Sequence, residues 1–480
     1  MGKVLTGGRP LSHKNNRERP LRRLFTFTFI TIFLFVVFFT PDQILSCIRA
    51  GHRAVPNHDI DRITQTVSIY TDHPIQPPYE GQFGEVGERL GQVARWLSDL
   101  DRLSDSNPTR PYLISAIETV ATSLVPFLNH DASETPLSDL RSSFEPGSRG
   151  IVIPVGGGET AIRFAGHLIT SLRLVLGCEL PIQIAYAGDD DLSKQDRQRI
   201  ASLEDARDVS FLDVLSVLDD STLKLEGSGW AIKPFAALVS KFEQVIVLDV
   251  DTVFVQKPEA LFEQYAFIQH GALLFHDQLM WQHSSRKRHD WFKDQMGELS
   301  RGMPNSLEEC DSGVIVLDKS RPEVLTSVLH IAWQNTLDVR DEVTYKLLYN
   351  HKEAWWLGLE FVGSGYGFEA RYGSVIGWEE ISHGDDGLES RVCGSTVAHV
   401  DDYDNLMWYS GSLLKNKLAD AKDYDIPEAW MMGGKWHKGA TTSDMSCMSG
   451  EHMTILSKRE RKTLELSIEA ARRVDQALAG

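Results

Sequence analysis

Gln244-Val-Ile-Val-Leu-Asp-Val-Asp251 is the stretch on which the reading of this chain turns. Val245 to Leu248 is a short, unbroken aliphatic run without helical periodicity, which reads as a strand buried on both faces of an α/β sheet. It ends on two carboxylates one residue apart. Residues i and i+2 of an extended strand share a face, so Asp249 and Asp251 are expected to aim together while Val250 packs the other way.

Working outward, the same alternation recurs upstream. Ile151-Val-Ile-Pro-Val155 is a strand broken by Gly156-Gly-Gly158, and a helix follows with Ile162, Ala165, Ile169, Leu172 and Leu176 on one face. Pro181 to Tyr186 and Val209 to Leu212 are further strands, and Ser193 opens the charged helix between them. Pro234 sits near the start of the helix carrying Phe235, Leu238 and Val239, where its missing N–H costs least. Strands alternating with helices at this spacing predict a parallel sheet that begins with a nucleotide-binding half.

Open sheets of this kind bind ligands beyond the carboxyl ends of their strands, which is where Asp249 and Asp251 fall. Two carboxylates can hold a hard divalent cation through oxygen, and the cation can bridge a diphosphate. His399, in Ser395-Thr-Val-Ala-His-Val400, is the third candidate ligand, against the reading of a hydrogen-bonded structural histidine. Lys233 and Lys417 are candidate phosphate contacts, although many lysines at such positions are merely exposed. Gly156 and Gly157 permit close approach of a nucleotide, a bare turn being the rival. Asp311, in Glu309-Cys-Asp-Ser-Gly313 ahead of an apolar strand, is the first candidate to face the reacting sugars. Asp341 is the second, although Asp341-Glu342 opening a helix also simply complements the helix dipole.

A formal net charge of -18 over 480 residues argues against a nucleic-acid partner. The start of the chain departs from that acidity: Lys3, Arg9, Lys14, Arg17, Arg19, Arg22 and Arg23 face one acid, Glu18. Leu24 to Phe39 is then apolar but for threonines. It falls a little short of the roughly 20 residues that span a bilayer, and Thr40 extends it. The pattern predicts a cytosolic tail (1–23), a signal anchor (24–40), a luminal stem and helical lead-in (41–147), a catalytic domain (148–455) and a C-terminal helix (456–480). Of five cysteines, Cys178, Cys310, Cys393 and Cys447 lie in the body, enough for two disulfides in three connectivities or for buried thiols. The single N-x-[ST] site, Asn107-Pro108-Thr109, is disabled by its proline.

Taken together, these residues resemble the fungal Golgi α-mannosyltransferases of the α-1,3 type, glycosyltransferase family 71. The likeness runs over roughly residues 150 to 420. It is carried by Gly150 to Val155, Trp230-Ala-Ile-Lys-Pro-Phe-Ala-Ala-Leu238, Leu248-Asp-Val-Asp251 leading into Pro258-Glu-Ala-Leu-Phe262, Asp311 to Lys319, and the block from His399 to Lys417. The resemblance implies a GT-A type fold, a GDP-mannose donor, a mannoside acceptor, dependence on Mn2+, retention of anomeric configuration and residence in the Golgi membrane. An α-1,2 linkage, a UDP-sugar donor and a non-catalytic subunit of a Golgi mannosyltransferase complex are the rivals. Thr252 stands where the family motif often has asparagine, and Asp341 lacks the Gly-Asp-Lys form expected there. Both departures bear on acceptor and linkage.

Overall fold

The computed structural model describes residues 57–479, apart from 131–132, 204–205, 281–285, 297–305, 307, 349–350, 385–386, 442 and 451. Two compact units are distinguished, Met1–Asp61 and Arg62–Gly480, and every described strand lies in the second. The expected tail and signal anchor lie outside the described residues. Among the described helices none is long and apolar enough to cross a membrane.

Eight strands in the first part of this unit are β1 (Glu145–Pro154), β2 (Ile182–Tyr186), β3 (Val209–Asp213), β4 (Phe242–Leu248), β5 (Val253–Phe254), β6 (Ala272–His276), β7 (Cys310–Asp318) and β8 (Gly367–Phe368). All but β5 form one sheet in the order β3-β2-β1-β4-β7-β6-β8. The first four run parallel, with Ile151 opposite both Ile182 and Ile246. β7 runs antiparallel to β4 and to β6, so the sheet is mixed, half of it the expected parallel half.

β4 explains its own composition. Val245 and Val247 face one core together with Ile315 and Leu317, while Ile246 and Leu248 face the other with Val314 and Val316. Both faces are covered from Val245 to Leu248, so each of these four positions is apolar, and each fully buried aliphatic side chain contributes about 1.5–3 kcal/mol. Helix Glu159–Thr170 covers the second face through Ile162, Ala165 and Ile169.

The first face is covered in part by the segment expected as a lead-in. Helices Phe83–Arg102 and Arg110–Leu124 place Phe83, Leu90, Ile117 and Val120 in the same core as Phe242 and Val245. No boundary falls at residue 147, because these helices and the sheet share one core. The C-terminal helix, Lys458–Ala479, is likewise built in: Val474 lies against Gly166, where an added Cβ would come within 2.7 Å of its side chain.

A second sheet follows, from β9 (Ser374–Gly384), β10 (Gly387–Val400), β11 (Leu406–Tyr409), β12 (Ala429–Met431), β13 (Lys435–His437), β14 (Ser446–Ser449) and β15 (Met453–Ile455). Cys393 and Cys447 face each other across β10 and β14 and form a disulfide. Cys178 and Cys310 are buried thiols, so one bridge stands in place of the two that four cysteines permitted. β11 pairs with β10 on one side and with β5 on the other, which joins the second sheet to the stretch just after Asp251.

Candidate active site

β4 stops at Leu248, so the carboxylate pair is not on the strand as expected. Asp249, Val250 and Asp251 form a turn, closed by the Thr252 amide donating to the Asp249 carbonyl at 3.2 Å. The turn is pinned on both sides. The Asp249 amide donates to the Gly313 carbonyl of β7 (2.9 Å), and the Ser412 amide donates to the Asp251 carbonyl (2.7 Å). Val250 packs in part against the second core and also lines the same cleft as the two acids.

That cleft has a volume of about 460 Å³ and opens at the carboxyl ends of β1 and β4. β2 extends the sheet to one side of this pair and β7 to the other, the kind of position where ligands of open α/β sheets bind. Each acid meets a lysine on a different wall. Lys233, on helix Ile232–Val239 and only 1% exposed, places Nζ 2.8 Å from Asp249 Oδ1 and donates to the Ser312 carbonyl at 2.5 Å. Lys417, 33% exposed and on the loop after β11, donates to Asp251 Oδ2. Burial pushes the Asp249 carboxyl above the usual carboxylate range; Lys233 opposes the rise and the neighbouring Asp251 adds to it.

Asp311 lies within β7, not ahead of it, and is buried. His399 Nε2 is 2.8 Å from Asp311 Oδ2, and the Gly313 amide donates to Oδ1 at 2.9 Å. Burial raises the Asp311 carboxyl, but the hydrogen bond and charge of His399, with Lys352 and the Gly313 amide, outweigh it and hold it well below the ordinary range. His399 is itself stacked on Trp408, ring centres 4.2 Å apart, with Phe275 edge-on at 5.1 Å. Gly313 makes room for this: a Cβ there would come within 2.9 Å of the Trp408 ring.

The expected three-ligand metal set is therefore not assembled. His399 spends Nε2 on Asp311, and among the described residues no three ligating atoms that include those of Asp249 and Asp251 lie within 4.8 Å of one another. His399 Nδ1 is buried and has no hydrogen-bond partner. The two carboxylates by themselves fit an oxygen-seeking divalent cation, since each lysine engages one carboxylate oxygen and a carboxylate has two.

Gly156 lines the cleft, and a Cβ on Gly157 would stand 2.4 Å from the Asp191 carbonyl. Gly158 has φ +118°, a conformation that L side chains rarely adopt. Asp341 is not at the cleft. It is exposed on the π-helical turn Arg340–Thr344, and Glu342 beside it accepts the Tyr79 amide at 2.6 Å; these are acids serving a chain turn. Sequence reasoning missed Arg163, Asp191 and Trp230, all of which line the cleft. Trp230 is 57% exposed and stacks in parallel with His351, ring centres 6.2 Å apart. Of the three, Trp230 had a usable signal, standing three residues before Lys233 in the Trp230–Leu238 stretch.

Residues 148–309 match the family model described as "Mannosyltransferase putative", a span that includes Lys233, Asp249 and Asp251. The α-1,3-mannosyltransferase MNT3 of Saccharomyces cerevisiae is 26% identical over 288 residues, 52% of this chain and 44% of that protein. Over these spans the chain is similar to fungal α-mannosyltransferases. A second relative, the α-1,3-mannosyltransferase MNN1 of S. cerevisiae, is 22% identical over 59% of this chain and 43% of its own. The α-1,2-mannosyltransferase MNN21 of Candida albicans is 32% identical over a shorter 27% of this chain and 20% of its own. The chain thus spans under half the length of these curated relatives. Among solved structures, the galactosyltransferase LgtC matches at 12% identity (46% of this chain, 72% of that one, TM-score 0.30). Mouse xyloside xylosyltransferase 1 matches at 13% (47% and 85%, TM-score 0.32).

Proposed function

We propose that this chain has a GT-A type fold and transfers mannose from GDP-mannose to a mannoside acceptor, with retention of configuration and formation of an α-1,3 bond. Its setting is the Golgi lumen, with residues 24–40 as the anchor. The observation that carries the reading is the pair of carboxylate–lysine contacts, Lys233–Asp249 and Lys417–Asp251, on opposite walls of one cleft at the end of β4.

Asp249 and Asp251 would hold a divalent cation, Mn2+ in this proposal, which when bound supplies charge neutralisation to a diphosphate. The two ammonium groups flank the position such a diphosphate takes and offset the negative charge that grows on it as the sugar leaves. Lys233 is fixed by its Ser312 contact and costs no reorganisation in doing so. Asp311 stays ionised, held by His399, and orients sugar hydroxyls as a hydrogen-bond acceptor. Trp230 offers an exposed aromatic face beside the phosphate position.

An α-1,2 bond is the second reading, favoured by the higher identity to the α-1,2 relative over its shorter overlap. The test is to incubate the purified chain with GDP-mannose, UDP-galactose or UDP-glucose and α-mannobiose, with Mn2+ or with chelator, and to determine the product linkage. Manganese-dependent mannose transfer giving an α-1,3 product is expected. Transfer only from a UDP-sugar would overturn the donor. The absence of any transfer would favour the non-catalytic subunit.

A further inference from the structure

We propose that Asp475, on the C-terminal helix, is a positioning residue for the donor cleft, holding the loop that carries Lys417 through Arg163 and Tyr424; this rests on the proposed role of that cleft in donor binding. The loop runs from β11 to β12 and is closed into a small hairpin. Leu414 and Tyr424 form a bridge across it, and the Lys415 amide donates to the Asp423 carbonyl at 2.8 Å. At its tip, Lys417, Leu418 and Ala421 line the cleft.

Little of the hairpin is in a sheet, so its place must be set by side chains. Arg163, from the helix after β1, also lines the cleft and donates Nη1 to the Ala421 carbonyl at 2.6 Å and Nη2 to the Tyr424 hydroxyl at 3.0 Å. Arg163 is in turn gripped by both Asp475 oxygens, at 2.7 Å each, in the two-pronged geometry that gives such pairs directional strength. The Tyr424 hydroxyl donates to Asp475 Oδ2 (2.7 Å), and His167 Nε2 lies 2.7 Å from Oδ1. One carboxylate therefore ties the base of the hairpin to the helix behind it. Asp475 does not line the cleft and can act on it only through Arg163 and Tyr424.

The experiment is hydrogen–deuterium exchange on the 413–424 amides of the full chain, with kcat and donor KM measured in parallel, for Asp475→Asn and for Tyr424→Phe. Tyr424→Phe removes one hydroxyl, leaves the Arg163–Asp475 pair, and guards against misfolding of the first variant. Expected for Asp475→Asn is exchange in 413–424 at least tenfold faster with the rest of the protein unchanged. Donor KM should rise fivefold or more with kcat held within twofold, and Tyr424→Phe should show a smaller shift of the same kind. Unchanged exchange in 413–424, or acceleration spread evenly over the whole chain, overturns the proposal. If the wild-type chain transfers no sugar, the functional reading fails and the exchange result alone decides this one.

Discussion

The two walls of the cleft carry the same ion pair in different settings. Lys233 is buried, sits on a helix and is held by a second contact to β7; Lys417 is a third exposed and sits on a hairpin tip. Removing one partner of a buried pair strands the other charge, whereas an exposed pair is worth little because water and salt replace it. The fixed wall is thus part of the fold, and the loop wall is adjustable. A cleft that must admit and release a large anion needs one of each.

Substitution should separate them. Lys233→Ala is expected to have the largest effect, costing about 3 kcal/mol of stability by emptying the buried Lys233 site and leaving the part-buried Asp249 unpaired, as read by denaturant unfolding. A loss below about 1 kcal/mol would show that the wall is not fixed by this pair. Asp249→Asn keeps shape and an oxygen for Lys233 but removes the charge. Turnover should fall at least about 100-fold, and the thermal midpoint should fall as well because the buried Lys233 loses its counter-charge. Lys417→Ala should cost under about 1 kcal/mol of stability yet weaken donor binding about tenfold, less so at high salt. Equal salt dependence in Lys417→Ala and wild type would remove the contrast between the walls.

A third acid shows what happens without a lysine. Burial raises Glu369 to about 8, and its Oε2 has no hydrogen-bond partner. A carboxyl raised in the folded state favours folding when protonated. Its contribution is complete below the ordinary value of 4.5 and is lost as pH rises through about 8. Glu369→Gln should flatten the decline in stability between those values, seen as unfolding midpoints against pH.

The β4 strand was readable because burial on both faces writes itself as an unbroken aliphatic run. The acids beyond it were readable as a pair, but not as a turn, since the contacts that pin the turn come from Gly313 and Ser412 far along the chain. His399 and Asp311 were each singled out, yet their bond spans 88 residues and no local pattern announces it. Arg163 and Asp475 are 312 residues apart and each looks locally like an ordinary surface charge. Asp341 misled for the opposite reason: an acid at a helix start has the same local signature whether it serves the chain or a substrate.

The pairing of β11 with β5 has a consequence for recombining this protein with its relatives. The Asp249–Asp251 turn is tied to Ser412 directly, and Met407 accepts from the Val255 amide just beyond it. A chimera with a crossover anywhere between residues 255 and 396 would therefore split one working part between two parents. Residues 249–255 and 396–424 form a single exchangeable module despite lying some distance apart in the chain. Libraries built by swapping one without the other should yield folded proteins with mismatched clefts.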